Sequence, residues 1–105
     1  MVVETATYTH TYYTLTGEAR VYELSFPFTY YAVYGDEHRT EKGETNYIVA
    51  ISAPRLRGGE HTTRTFPADR DGNVLVWEAA STIPHIAHAE SVRDLGYVPI
   101  GDPGD

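Results

Sequence analysis

The chain has 105 residues, of which 41% are hydrophobic and 22% charged, with a net charge of −7 and no cysteine. This length and composition describe one domain and exclude wholesale disorder, which needs low hydrophobicity and high net charge. The acidic balance disfavours nucleic acid and anionic lipid as partners, and the missing cysteine excludes disulfides, thiolate metal sites and thiol catalysis.

Residues 5–14 open with a period of two. Thr5, Thr7, Thr9 and Thr11 fall on one face, and Ala6, Tyr8, His10 and Tyr12 on the other, as in a strand with unlike faces. Gly17 marks a turn. Residues 18–26 read as a second strand, with Arg20, Tyr22, Leu24 and Phe26 opposite Ala19, Val21 and Glu23. Pro27 has no N–H for a ladder, so it marks an edge, a bulge or a break. Residues 28–34 resume as a third strand. Residues 35–44 are polar and closed by Gly43, which predicts an exposed loop or hairpin connection. Residues 46–53 are apolar on both faces, as in the middle of a sheet.

Arg55 and Arg57 precede Gly58-Gly59, a pair suited to a tight hairpin turn. Residues 62–77 read as a hairpin whose loop holds Asp69-Arg70-Asp71-Gly72-Asn73, a strong turn signal. The same run opens like a calcium loop, but Val74 stands where that loop needs glycine and Ala80 where it needs glutamate. The spacing predicts a helix over residues 84–95. Pro84 suits its first turn, Gly96 suits a left-handed C-cap, and Ile86, Ala89, Val92 and Leu95 form a short apolar stripe.

Residues 1–98 therefore read as a single α+β domain. It is an antiparallel β-sheet meander of five to seven strands with one short C-terminal helix packed on it, and residues 99–105 are a flexible tail. One sheet edge is expected to be open for pairing, which makes a homodimer or higher homo-oligomer an expected state. The N-terminus does not read as a signal peptide, and no run of about 18 apolar residues occurs. A cytoplasmic chain with no membrane partner is expected.

No motif specifies a reaction. His85 and His88 stand at i and i+3, and zinc would need a third ligand from His61, His10 or Glu90. Solvated or capping histidines on a helix surface account for the same pair. No G-x-S-x-G frames a serine. Gly58-Gly59 beside Arg55 and Arg57 could form a small anion nest, although a hairpin turn with exposed arginines explains them as well. No cofactor is expected. Nine residues are tyrosine and thirteen threonine, both suited to a pleated surface. In the doublets Tyr12-Tyr13 and Tyr30-Tyr31, one ring must face each way. Exposed aromatic area can mark an interface, so Tyr13, Tyr31, Arg55 and Arg57 are the candidate protein-binding residues.

Thr65-Phe66-Pro67-Ala68-Asp69, then Gly72 and Trp77, then Leu95-Gly96-Tyr97, resembles a pattern in small uncharacterised proteins of actinobacterial phages. The resemblance covers about the last third of the chain and implies a small protein made in an infected cytoplasm that acts by binding a host protein. The expected function is an acidic protein-binding module, an inhibitor of a host or defence protein. The alternatives are a structural homo-oligomer such as a minor virion component, and a histidine/carboxylate metal-dependent enzyme or small-ligand binder.

Overall fold

The computed structural model describes residues 3–15, 17–34, 39–53, 62–77, 80 and 87–103. They form β1 (Thr5–Tyr13), β2 (Glu18–Tyr34), β3 (Arg39–Ala53), β4 (Thr62–Ala68), α1 (His88–Asp94) and β5 (Val98–Ile100). One sheet holds the strands in the order β4-β3-β2-β1-β5. The first four pair antiparallel with their sequence neighbours, as a meander requires. β5 corrects that picture: it lies parallel to β1, so the sheet is mixed. β4 and β5 run in opposite directions at the two edges of the sheet, and the chain between them, α1 included, crosses from one edge to the other.

Two bulges decide which side chains meet. In β1 the register shifts between Tyr8 and His10, so Tyr8 pairs with Tyr22 while His10 pairs with Val21. The extra residue, Thr9, flips the faces of everything after it. Ala6 and Tyr8 face the helix, but Tyr12 packs on the opposite side with Ala19, Val21, Val49 and Ala68. The simple alternation expected through residue 12 is therefore broken. In β2 four residues, Leu24 to Pro27, separate the pairs Glu23↔Tyr47 and Phe28↔Thr45, where β3 has one residue. Pro27 sits inside this bulge, where it has no regular ladder bond to lose. The second and third expected strands are one bent strand.

Both faces of the sheet are covered. On one, Ala6, Tyr22, Leu24, Ile48 and Ala50 pack with Val92 and Tyr97. On the other, Val21 and Val49 are sealed by Val74 and by the turn at residues 69–73. Asp69 shapes that turn: its carboxylate accepts the Asp71 and Asn73 N–H groups at 3.0 and 2.9 Å. The expected hairpin over residues 62–77 is only partly realised. After the turn, a single bridge joins Ala68 to Val74, and Leu75 N–H reaches the Pro67 carbonyl.

The helix begins later than its spacing predicts. Ala87 is extended (φ −97°, ψ 145°), so α1 starts at His88, and Pro84 lies outside the described residues. Its buried face is His88, Ser91 and Val92, not the purely apolar stripe expected. Gly96 takes the left-handed conformation that ends the helix (φ 93°), and its N–H bonds the Arg93 carbonyl.

The C-terminal residues are also ordered differently from the expected loose tail. Residues 98–100 form β5, and Asp102 bonds to Arg20 and Tyr22. The bond from Val98 N–H to the Glu4 carbonyl turns the backbone of Val98 toward β1. By the period of two, Pro99 faces outward, and proline offers no N–H to an incoming strand. On the opposite side, β4 carbonyls of Thr65 and Pro67 already accept Ala80 and Leu75 N–H groups. Each outer strand is thus blunted along part of its ladder.

Candidate interaction surface

Beyond the bulge at residues 24–27, β2 and β3 pair with each other and, among the described residues, with no other strand. β1 stops pairing with β2 at Leu24, and β4 stops pairing with β3 at Tyr47. Residues 28–34 and 39–45 thus run past the sheet as a two-stranded arm. Seven residues of strand give it a length of roughly 23 Å. Residues 39–44, expected in a loop, are strand here. Glu41, Lys42 and Glu44 are exposed, so this stretch of β3 lacks the apolar alternation that makes strands legible.

The arm presents the second tyrosine doublet. Tyr31 is 57% exposed and pairs across the ribbon with Lys42. Tyr30 faces the other way and pairs with Gly43. Its ring occupies the space of a missing side chain: a Cβ on Gly43 would lie 2.4 Å from Tyr30 Cζ. An aromatic ring over a cross-strand glycine pins the register of a ribbon. At the base of the arm, Phe28, Thr29, Tyr30 and Tyr31 meet Pro67, Val76 and Ala80 around a cavity of about 210 Å³.

The first doublet divides in the same way. Tyr12 is half-buried and its hydroxyl donates to the Gly72 carbonyl at 2.7 Å, while Tyr13 is 77% exposed. Burial, then the Asp69 charge, raises the Tyr12 phenol above its ordinary pKa. Tyr13 pairs with Glu18 at the start of β2, whereas Tyr31 lies thirteen residues further along that strand. At about 3.3 Å per residue this separates them by up to roughly 40 Å, so they belong to different surfaces. Arg55, Arg57, His61 and His85 lie outside the described residues.

The other sequence candidates have partners. His88 is buried, and its Nε2 donates to the Glu18 carbonyl at 3.1 Å. His10 is exposed, with Nε2 3.2 Å from the Asp71 carbonyl. Among the described residues no three histidine or carboxylate side chains are grouped to hold a metal ion.

A polar network between sheet and helix went unread in the sequence. Arg20 is buried, its Nε 2.5 Å from Glu18 and its Nη1 3.1 Å from Asp102. The Tyr22 hydroxyl donates to the other oxygen of Asp102. Burial, then the bond to Asp102 and its charge, pushes the Tyr22 phenol well above its ordinary pKa. Beside it, the hydroxyls of Thr65 and Ser91 are 2.5 Å apart. Ser91 thus bonds threonine and His88 bonds a carbonyl, an arrangement of structural hydrogen bonds. The available signal was Arg20 itself, a charge alternating with Tyr22 and Leu24 on an otherwise apolar face, which demands a buried counter-ion.

Comparison with protein-family models, with curated proteins and with solved structures finds no match for this chain.

Proposed function

We propose that the chain is an acidic protein-binding module that meets its partner through the arm of β2 and β3. The observation that carries this reading is a ribbon that, among the described residues, pairs with no other strand, with Tyr31 exposed on one side. A tyrosine offers large contact area for few rotors, and the exposed charges of Glu41, Lys42 and Glu44 supply a polar rim around it. The C-terminal resemblance to actinobacteriophage proteins supports a host or defence protein as the partner class, with inhibition as the outcome.

Photo-crosslinking tests the reading. A benzophenone amino acid at position 31 should capture one identified protein in fixed stoichiometry, and the same group at position 13 should not. With that protein purified, Tyr31→Ala should weaken binding about 30-fold, the loss of a central aromatic anchor. Equal capture from both positions, or an unchanged affinity, would overturn it. A defined homo-oligomer in native mass spectrometry, with no captured partner, would favour self-assembly as a structural component.

A further inference from the structure

On the sheet face opposite α1, a second concavity of about 360 Å³ is lined by Thr9, His10, Glu23, Tyr47, Arg70 and Asp71. Three strands and one turn build it, and each contributes for a stated reason. The bulge at Thr9 re-aims His10, which regular alternation would have sent to the helix side. Glu23 and Tyr47 are direct cross-strand partners and form the floor, where the Tyr47 hydroxyl donates to Glu23 at 2.8 Å. The turn that Asp69 ties together holds Arg70 and Asp71 over one side. His10 fastens that turn to β1, because a carbonyl only accepts and Nε2 must therefore donate to Asp71.

The groove carries charges of both signs, Arg70 against Glu23 and Asp71. Arg70 and Glu23 line the same concavity, and the Tyr47 hydroxyl between the strands donates to Glu23. Yet among the described residues Arg70 makes no ion pair, with Glu23, with Asp71 or with any other carboxylate. A guanidinium and a carboxylate facing one concavity without closing on each other leave two opposite charges to be met by a guest. A guest that carries both signs could meet both. The cavity is at the small end of the range for ligand sites, which suits a molecule of amino-acid to dipeptide size.

We propose that this groove binds a small zwitterion, its carboxylate on the Arg70 guanidinium and its ammonium group on Glu23 and Asp71. The forked guanidinium suits a carboxylate, and the two acidic side chains suit an ammonium donor. This site is separate from the arm and does not depend on the protein-binding reading.

The test is a ¹H–¹⁵N NMR titration of the full chain with alanyl-alanine, its N-acetyl form and its C-terminal amide. The zwitterion should shift the amides of Thr9, His10, Glu23, Tyr47, Arg70 and Asp71 and saturate below about 10 mM. Each blocked form should bind about 10-fold more weakly. Arg70→Ala should abolish the penalty for amidation, and Glu23→Gln the penalty for acetylation, with both spectra unchanged at α1 and β5 to show an intact fold. The proposal is overturned by a zwitterion that gives no saturable shifts at these residues. Blocked forms that bind as tightly as the parent overturn it equally.

Discussion

Tyr22 and Asp102 lie eighty residues apart in sequence and share a short hydrogen bond at one end of the sheet. The same carboxylate pairs with the buried Arg20, which also meets Glu18. Asp102 is therefore the peg that holds the C-terminal segment, and β5 with it, against β1. Replacing it removes the acceptor of the Tyr22 phenol and one of the carboxylates that meet the buried Arg20. Breaking one partner of a buried pair costs about 3 kcal/mol or more. For a domain of this size, Asp102→Ala should lower Tm by at least about 10 °C. Deletion of residues 101–105 should do the same, and Asp102→Asn, which keeps an acceptor for Tyr22, should cost less. Thermal unfolding followed by circular dichroism compares the three, and a truncated chain as stable as the full one would contradict the peg.

The same phenol makes the fold sensitive to alkali. Burial, the bond to Asp102 and the Asp102 charge raise the Tyr22 pKa, so the folded chain keeps a proton that the unfolded chain releases above about pH 10. The folded state then binds more protons than the unfolded one, and stability falls as pH rises. The slope from one such group is about 1.4 kcal/mol per pH unit. Tyr12 and Tyr97 are raised as well, chiefly by burial, and add in the same direction. Asp69 acts at the other end of the scale. Its carboxyl is lowered first by the Asn73 backbone N–H, so its contribution is present above about pH 4 and lost as pH falls below that. Urea unfolding between pH 8 and pH 11 should show the alkaline fall, and Tyr22→Phe should flatten it.

These relationships also show what periodicity can and cannot reveal. The strands that end in the core were legible because burial enforces alternation: Val21 and Val49 on one face, Tyr22, Ile48 and Ala50 on the other. The turn at residues 69–73 was legible because Asp, Asn and Gly at those positions each do local work. A bulge has no such signature. Thr9 is one threonine in a run of alternating threonines, and only pairing with β2 shows that it is the extra residue. The arm was half-read, since Phe28 to Tyr34 look like a strand while residues 39–44 look like a loop. The network around Arg20 was only half-legible: Arg20 on an apolar face signals a counter-ion, but Asp102 is far away in a segment rich in Gly and Pro. The face of α1 was legible in part for a related reason. Hydrophobic spacing found Val92 and Leu95, which pack in the core, but not the buried His88 and Ser91, which match polar groups on the sheet.

Gly72 fixes the cover over the second cluster. Its φ of 90° is one that side chains resist, and a Cβ there would lie 2.5 Å from Val21 Cγ2 and 2.9 Å from Tyr12 Cε1. Gly96 has a similar φ of 93° but open space around it. Gly96→Ala should cost about 1–2 kcal/mol, the left-handed penalty alone. Gly72→Ala adds a collision with two packed side chains and should cost clearly more, lifting the turn and exposing Val21. Equilibrium unfolding of both variants gives the comparison. Equal losses would mean that the turn yields without disturbing Tyr12, and amide exchange at Asn73 would then remain as slow as in the parent.

The arm should separate binding from stability. Tyr31 lies outside both hydrophobic clusters and is more than half exposed, so Tyr31→Ala should change stability by no more than about 0.5 kcal/mol. Gly43 tests the ribbon itself. A methyl group there meets only the end of the Tyr30 ring, a flexible obstacle that swings aside, so Gly43→Ala should cost under about 1 kcal/mol. The displaced ring then no longer pins the pairing of Tyr30 with Gly43. In the parent, the Gly43 Hα resonances should carry an upfield ring-current shift that Tyr30→Leu removes. In Gly43→Ala, cross-strand contacts between residues 28–34 and 39–45 should weaken while those of β1, β4 and β5 persist. A variant that melts as one unit with the sheet would show that the arm is part of the core, and that its tyrosine serves folding before any partner.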